Sequence, residues 1–386
     1  MRITEATVYG LSIPFVESFN HSTQARGCSD SIVVRLMSED GTIGYGEGVA
    51  RAYVTGETVE TSLAQITNKL LPAVLAKNFA ELVPGPDPLV ALAVVDEALP
   101  EEAANGVIAW HAARCAVETA LIDCLLKRQK LSLAQLLPPA RSTVTYSGVI
   151  TAGSVEKAVQ HAKFFKLLGI RQLKIKVGGA DARERVMAVR ETTGADASLR
   201  LDANGAYDVP QAKRLLSEMS DLNIASVEQP IARGSLRDLS EVKNHSAIPI
   251  MVDESLVTQA DARSLIEERA CDYFNLRLSK CGGITRTLRL ARMAERANLK
   301  MQLGSHVGET AILSAAGRHV AAHLDSLSFV EGSYGQLLLT EDVAHDSISF
   351  GHGGRAPILR GAGLGVRVRE DVLCRFARTV IYQRKD

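Results

Sequence analysis

Five short motifs follow apolar segments in the middle of the sequence and decide the fold. They are Lys174-Ile175-Lys176, Asp202-Ala203-Asn204, Glu228-Gln229-Pro230, Asp253-Glu254-Ser255 and Lys280-Cys281-Gly282-Gly283. Three of them begin with a carboxylate, and these acidic residues lie 26 and 25 residues apart. That spacing accommodates one strand and one helix of a (β/α) barrel, in which the C-terminal ends of the strands meet at one rim. The sequence therefore predicts that the five motifs converge at the rim of a barrel.

From about residue 143 onward, short apolar runs alternate with amphipathic segments. The predicted strands are 144–150, 172–177, 198–202, 226–228, 248–253, 273–278, 300–304 and 327–331. The predicted helices fill the gaps at 154–168, 180–192, 209–219, 235–244, 259–268, 284–297 and 309–324. Eight strands that alternate with helices favour an α/β fold, a modified (β/α) TIM-type barrel whose site lies at the C-terminal strand ends.

The part of the chain before the barrel has a different pattern. Residues 2–14 and 31–38 alternate as strands do, and residues 57–76 and 104–137 have helical periodicity. We therefore predict an α+β capping domain over residues 1–140, completed by about 355–386, and a barrel domain over 141–354. Two polar segments, 17–30 and 51–57, are predicted loops of the kind that often form lids or binding sites.

Composition excludes several classes of function. Lys+Arg and Asp+Glu each number 44 in 386 residues, so the chain has no net charge and no polyanion-binding character. No apolar run approaches the length of a membrane span. The six cysteines form no CxxC pair, and the first residues lack the apolar core of a secretion signal. We therefore expect a cytoplasmic protein with reduced thiols that binds neither nucleic acid nor membranes.

Asp202, Glu228 and Asp253 are the candidate metal ligands. Each ends an apolar run, where a buried carboxylate is rare unless it is paired or bound to a metal. Three such groups from successive strands suit a hard divalent cation such as Mg²⁺, which Mn²⁺ can replace. Asn204 and Glu254 lie just beyond two of the ligands, so we expect them to orient the ligands or to bind metal-coordinated water. Taken alone, any one of the three acids could instead be a helix cap or a salt-bridge partner.

Lys174 and Lys176 alternate on one predicted strand, so both side chains lie on the same face. Inside a barrel, the two ammonium groups and a nearby metal would lower the pKa of a lysine, as a general base requires at neutral pH. Lys176 lies nearer the rim and is the candidate base, whereas Lys174 is expected to tune its neighbour or to contact the substrate carboxylate. Lys280 is expected to end the sixth strand. The alternative for Lys174 and Lys176 is a solvated surface pair.

In this order and spacing, the five motifs resemble those of the enolase superfamily. Because it has a lysine on the sixth strand, the chain is similar to the muconate lactonizing enzyme subgroup of the mandelate racemase/muconate lactonizing enzyme-like proteins. The resemblance covers essentially the whole chain. It implies that Asp202, Glu228 and Asp253 bind Mg²⁺, and that Lys176 and Lys280 form an acid/base pair on opposite faces of a bound substrate.

The resemblance also implies substrate contacts. Glu331 matches an eighth-strand carboxylate that contacts the substrate in several relatives, and the capping loops that contain Arg26 and Tyr53 match positions that select the substrate. Dipeptide epimerases of the family carry Asp-x-Asp on the eighth strand to hold the substrate amine. Here the strand reads Val330-Glu331-Gly332-Ser333-Tyr334, so that motif is absent.

His306 ends the seventh strand in Gly304-Ser305-His306, which resembles the mandelate racemase subgroup. In that subgroup the histidine is a base held by an aspartate, but Arg277 occupies the expected position of the aspartate. His306 is therefore a candidate for substrate binding or direct acid/base chemistry, and a polar residue of the rim is the alternative.

The expected reaction begins with removal of the α-proton of a small carboxylate substrate to form a metal-stabilised enolate. The presence of Lys176 and Lys280 and the absence of Asp-x-Asp favour a muconate cycloisomerase-like enzyme. The alternatives are a racemase or epimerase of an amino-acid derivative or dipeptide, and an o-succinylbenzoate synthase-type dehydratase. A metal-dependent hydrolase would need His ligands or a bridging carboxylate, and a non-catalytic scaffold would need no lysine pair. The resemblance implies a homo-oligomer.

Overall fold

The computed structural model of the protein describes residues 1–20, 25–100, 107–151, 153–179 and 181–385. Side chains are described throughout these ranges except at residues 17–20, 25 and 26. The predicted binding loop from His21 to Gln24 therefore lies outside the described residues, and so does the side chain of Arg26. Among the described residues, no helix is both long enough and apolar enough to cross a membrane.

An antiparallel sheet precedes the barrel in the chain. Its strands are β1 (Ile3–Asn20), β2 (Ala25–Ser38) and β3 (Ile43–Gly48), joined at the edge beside β1 by a strand from the C-terminal end of the chain, Ala377–Arg384. The helices that follow are α1 (Ala52–Thr55), α2 (Val59–Gln65), α3 (Leu71–Ala76), α4 (Pro88–Asp96), α5 (His111–Arg128) and α6 (Leu133–Leu136), with a π-helical turn, Ile66–Leu70, between α2 and α3. Helix α5 packs directly on β3 because Gly44, Gly46 and Gly48 have no side chain, and a Cβ at any of them would overlap α5.

The second sheet has eight parallel strands in the order of the chain. After β4 (Thr143–Thr145), its strands are β5 (Gly148–Ile150), β6 (Gln172–Lys176), β7 (Ser198–Asp202), β8 (Ile224–Glu228), β9 (Ile250–Val252), β10 (Tyr273–Leu276), β11 (Lys300–Leu303) and β12 (Leu327–Val330). The N–H of Ser147, just before β5, donates to the carbonyl of Val330 in β12 at 2.8 Å, which brings the first and last strands together. The predicted (β/α) barrel architecture is confirmed.

Helices cover the outside of the barrel, as a parallel sheet requires. The helices of this part of the chain are α7 (Val155–Leu167), α8 (Ala182–Thr193), α9 (Val209–Glu218), α10 (Leu236–Asn244), α11 (Gln259–Glu267), α13 (Ile284–Arg296), α14 (Ala311–His323) and the one-turn helices α12 (Leu278–Cys281) and α15 (Gly335–Leu338). The chain then forms β13 (Arg355–Pro357), which pairs with β4, and α16 (Glu370–Phe376). It ends in β14 (Ala377–Arg384), which pairs with β1 in the first sheet.

Several predicted boundaries are wrong. Residues 17–20 and 25–30 are strand, because β1 and β2 continue to pair as far as Asn20 and Ala25. Helix α4 lies between the two segments predicted to be helical, and Pro88 occupies its first turn, where a missing N–H costs nothing. The sixth barrel strand ends at Leu276, so Lys280 does not end a strand. It lies on the one-turn helix α12, which Gly282 closes in a left-handed conformation.

Candidate active site

The three predicted metal ligands lie side by side at the C-terminal ends of neighbouring strands. Asp202 and Glu228 are the last residues of β7 and β8 and are aligned across that pair of strands. Asp253 directly follows β9. All three side chains are completely or almost completely buried. The parallel register therefore produces a row of three carboxylates, Asp202–Glu228–Asp253, that we call the carboxylate row.

Two lysines of β6 pair with the first part of this row. The Lys174 Nζ lies 3.1 Å from Asp202, 3.3 Å from Glu228 and 2.9 Å from Glu331 of the loop after β12. The Lys176 Nζ lies 2.8 Å from the Asp202 carboxylate and donates to the Asn204 side chain. Both lysines are buried, so the alternative of a solvated surface pair is excluded.

The charges around Lys174 reverse one expectation. Burial lowers the pKa of this lysine, but Glu228, Glu331 and Asp202 outweigh burial and raise the pKa above its usual value. The expected decrease in pKa depended on the neighbouring lysine and a metal, whereas Glu331 acts in the opposite direction and reaches β6 only when the barrel closes. A positively charged Lys174 suits contact with an anion.

Arg277 pairs with the other end of the carboxylate row. It follows β10, and its Nη2 lies 2.5 Å from Asp253 and 3.3 Å from Glu228. Burial raises the pKa of the Asp253 carboxyl, but Arg277 and Lys280 outweigh it and lower the pKa. In the sequence, this arginine was noted only because it occupies the expected position of an aspartate. The available signal was a charged residue directly after the buried strand Tyr273-Phe274-Asn275-Leu276.

Lys280 lies behind Asp253. Its Nζ donates to the Asp253 carbonyl at 2.8 Å, to the Asp253 carboxylate at 2.9 Å and to the Asn275 carbonyl at 2.7 Å. These contacts use all three ammonium protons, and the side chain is completely buried. Lys280 therefore fixes the position of Asp253.

The carboxylate row fits a hard divalent cation by its chemistry, since its donors are all oxygen. Within the described parts of the chain, no group of three His, Cys, Asp or Glu side chains is already arranged to hold a metal ion. Cationic side chains occupy the row instead: Lys174 bridges Asp202 and Glu228, and Arg277 bridges Glu228 and Asp253. The three carboxylates therefore carry the negative charge that a metal would neutralise, and Lys174 and Arg277 balance that charge in this structure.

Asn204 connects the base candidate to Glu254. It accepts a hydrogen bond from Lys176 and donates to the Glu254 carboxylate at 3.3 Å. Burial and the neighbouring carboxylates of Asp253 and Asp202 raise the pKa of Glu254 to about 7. The two predicted supporting residues thus lie next to the carboxylate row.

A cavity of about 430 Å³ opens onto this site. It brings together several predicted site residues: Tyr53, Lys174, Lys176, Asn204, His306 and Glu331. Arg277 also lines it, together with an apolar wall that includes Phe164, Phe165, Leu337 and Leu338. Among the described residues that line the cavity, Lys280 is absent. The structure thus brings Lys174, Lys176 and Arg277 to the cavity, and Lys157 and His161 line it as well.

Glu309 was missed by sequence reasoning. It lines the cavity, and its carboxylate accepts the backbone N–H of His306 at 2.6 Å. Burial raises its pKa to about 8, although the hydrogen bond from His306 opposes the shift. It lies only three residues beyond His306, but it does not end an apolar run, so the sequence pattern did not indicate it.

Comparison with known proteins supports the family resemblance. Residues 4–138 match the mandelate racemase/muconate lactonizing enzyme N-terminal domain, and residues 157–372 match the enolase C-terminal domain-like family. The chain is 29% identical to an N-succinyl-L-Arg/Lys racemase of Bacillus cereus over 97% of both chains, and 32% identical to a hydrophobic dipeptide epimerase of Enterococcus faecalis over 83% of this chain and 87% of that one.

A solved structure of a dipeptide epimerase from Cytophaga hutchinsonii, complexed with Mg and the dipeptide D-Ala-L-Val, is also similar. It has a TM-score of 0.86 and 27% sequence identity, and the alignment covers 99% of this chain and 100% of that one. These relatives match the racemase or epimerase alternative better than the expected muconate cycloisomerase. The resemblance read from the motifs is confirmed: the chain belongs to the enolase superfamily and is an enzyme of its isomerase or lyase class.

Proposed function

We propose that the chain removes the α-proton of an amino-acid derivative next to its carboxylate, and that it is a racemase or epimerase. The position of Lys176 carries this proposal. Its ammonium group lies at the cavity, 2.8 Å from the first member of the carboxylate row. A candidate base and a lysine suited to binding an anion therefore line the cavity, next to a carboxylate row suited to a cation, as enolate formation requires.

Asp202, Glu228 and Asp253 would hold Mg²⁺, or Mn²⁺ in its place. Such a cation, when bound, supplies positive charge to the substrate carboxylate as negative charge develops there. Lys176 takes the α-proton in its neutral form, and Asn204 holds its side chain in place. Lys174 keeps its charge and binds the substrate carboxylate.

The surroundings of Glu331 favour a substrate without a free α-ammonium group. Its two carboxylate oxygens are paired with Lys174 at 2.9 Å and with Arg200 at 3.2 Å. Arg200 is itself fixed, since its guanidinium lies 4.2 Å from the centre of the Phe329 ring. A carboxylate that is already neutralised by two cations binds a third cation weakly, because like charges repel. We therefore favour N-acylated amino acids over dipeptides with a free amine.

One observation favours a second candidate reaction. Racemisation needs a proton donor on the face of the substrate opposite the base, whereas β-elimination and cycloisomerisation can be completed without one. The cavity carries Arg277 across from Lys176, and a guanidinium group does not exchange its proton as an amine does. A dehydratase or muconate cycloisomerase-like reaction is therefore the second candidate.

Proton NMR of the enzyme with Mg²⁺ in D₂O tests the proposal. The panel is N-acylamino acids, dipeptides, muconates and sugar acids, each as a pure stereoisomer. Deuterium at the α-carbon of an N-acylamino acid, with formation of the other stereoisomer, supports the racemase. A new alkene or lactone resonance supports the second candidate. Absence of exchange and of product with every compound contradicts both.

A further inference from the structure

The cavity has two ends of different chemistry. Charged side chains, all of them buried, form one end: Lys174, Lys176, Arg277 and Glu331. The open end carries large apolar side chains that remain exposed although they line the same cavity: Val16 at 61%, Tyr53 at 46%, Phe164 at 47% and Leu337 at 46% of full exposure. Contact of large apolar groups with water is unfavourable, and a contiguous exposed patch of them is typical of a binding site.

The open end lies across the rim from the carboxylate row. Phe164 belongs to α7, which follows β5, and Leu337 belongs to α15, which follows β12. Strands β5 and β12 are neighbours, because the barrel closes between them. Glu228, in the middle of the row, ends β8, and β12 lies equally far from β8 through β9, β10 and β11 as through β7, β6 and β5. A substrate with its carboxylate at the row therefore extends its other end toward Phe164 and Leu337.

The face of α7 that lines the cavity also carries two polar residues. Lys157, His161 and Phe165 follow one another at intervals of four residues, so they lie on one face of the helix, and all three line the cavity. Lys157 is exposed, and a lysine can place its methylene groups along an apolar surface while its ammonium group stays in water. An ion pair at such an exposed position contributes little to affinity. The apolar side chains therefore dominate what the open end can bind.

We propose that the substrate carries a large, uncharged apolar group at the end remote from its carboxylate, and that Phe164 and Leu337 select this group. This inference rests on the proposed α-proton abstraction from an N-acylamino acid. The apolar group belongs either to the acyl chain or to the amino-acid side chain, and both present the same chemistry to the apolar wall. Phe164 and Leu337 are thus residues that determine specificity.

Burial of the group against the wall sets the size of the expected effect. A methylene group that leaves water completely improves binding about 4-fold. Because Phe164 and Leu337 keep part of their surface in contact with water, we expect about 2- to 4-fold in kcat/KM for each methylene group added. The cavity of about 430 Å³ is in the size range of sites for drug-sized molecules, so it has room for such a chain.

The experiment measures kcat/KM for α-deuterium incorporation in D₂O with Mg²⁺ along two series of pure stereoisomers. One series lengthens the acyl chain, from N-acetylalanine through N-butyrylalanine to N-hexanoylalanine. The other lengthens the side chain, from N-acetylalanine through N-acetylnorvaline to N-acetylnorleucine. We expect kcat/KM to rise about 2- to 4-fold per methylene group in at least one series, and that series identifies the group that contacts the wall. Flat or falling values in both series would overturn the inference, while incorporation itself would leave the proposed function intact.

A charged acyl chain of equal length tests the competing ligand chemistry. N-succinylalanine has the chain length of N-butyrylalanine but ends in a carboxylate. We expect kcat/KM to be at least ~10-fold lower for N-succinylalanine, because a carboxylate loses its hydration against an apolar wall. A higher kcat/KM for N-succinylalanine that is lost in Lys157→Met would show that the open end binds an anion, and the inference would be wrong.

Truncation of the wall connects the effect to its residues. Phe164→Ala and Leu337→Ala should each lower the ratio of kcat/KM between the longest and the shortest compound of the rising series at least ~5-fold. Leu167→Ala is the matched control, since this side chain of α7 is 81% exposed and lies outside the described lining of the cavity, and it should leave the ratio unchanged. Circular dichroism checks that the three variants are folded. An unchanged ratio in both Phe164→Ala and Leu337→Ala would overturn the assignment.

A binding measurement gives a readout that does not depend on turnover. In calorimetry with Mg²⁺, N-hexanoylglycine or N-acetylnorleucine should bind at least ~10-fold more tightly than N-acetylglycine. The tighter compound should also show a more negative heat-capacity change, which is the marker of apolar burial. Equal affinities and equal heat-capacity changes for all three compounds would overturn the inference. Absence of α-proton exchange with every compound would remove the proposed function, and this inference with it.

Discussion

Replacement of Gly283 by alanine should unfold the junction between the first sheet and the barrel. Gly283 has φ 106° and ψ −173°, a region that is essentially restricted to glycine. A Cβ there would overlap the buried carboxylate of Glu118, which accepts the N–H groups of Ile284 at 2.5 Å and Thr285 at 3.2 Å. The backbone strain costs about 1–3 kcal/mol, and loss of two hydrogen bonds to a charged acceptor costs about 3–6 kcal/mol.

The expected loss of unfolding free energy for Gly283→Ala is therefore about 4 kcal/mol or more, a large part of the total for a typical domain. Urea denaturation followed by circular dichroism measures it. Gly317→Ala is the matched control, because an added Cβ inside helix α14 meets no atom within 4 Å. That control should be stabilised by about 0.5–1 kcal/mol. A Gly283→Ala variant within 1 kcal/mol of the unmodified protein would refute the reasoning.

Three further predictions concern the base, the metal and the pH dependence. Lys176→Met should lower α-deuterium incorporation at least ~100-fold. Lys213→Met, at an exposed ion pair with Glu241, should change neither incorporation nor the denaturation midpoint. Normal incorporation in Lys176→Met contradicts the assignment. Chelation of divalent cations should abolish α-deuterium incorporation, and added Mg²⁺ should restore it. The Asp253→Asn variant should bind Mg²⁺ at least ~10-fold more weakly than the unmodified protein in calorimetry. Equal Mg²⁺ affinities of the two proteins would show that Asp253 is not a ligand. Burial lowers the pKa of His319 to about 4. Below about pH 6.5 this histidine therefore takes up a proton in the unfolded chain but not in the folded chain. The folded state consequently loses about 2 kcal/mol of unfolding free energy between pH 6.5 and 5. His319→Gln should remove that part of the pH dependence of unfolding, and identical pH profiles for the two proteins would contradict it.

The barrel could be predicted because each of its units is specified locally. An apolar run, a polar residue at its end and an amphipathic helix form one unit, and the parallel arrangement then places every strand end at one rim. Asp202, Glu228 and Asp253 were found for this reason, since a carboxylate after a buried strand is unusual in the sequence itself. The same reasoning found Lys174 and Lys176, whose alternation on β6 was read directly from the pattern.

The roles of Arg277 and Lys280 could not be separated in the same way. Both are cations near the end of the sixth strand, and the sequence interpretation extended that strand by two residues. A one-turn helix stabilised by the fold determines which of them reaches the cavity, and helices this short have no periodicity to detect. Gly283 and Glu118 are far apart in the chain, so no local sequence pattern predicts their close approach.

The sequence by itself determined the fold, the carboxylate row and the placement of Lys174 and Lys176 on one face of β6. These features depend on side-chain type and spacing within single strand–helix units. The tertiary structure alone decided the charge balance at the site. Lys174 meets Glu331 only when the barrel closes, Arg277 meets Glu228 across an intervening strand, and Lys280 is turned inward onto Asp253. Electrostatic interactions act through space with a strength set by distance and burial, and a linear sequence contains neither quantity.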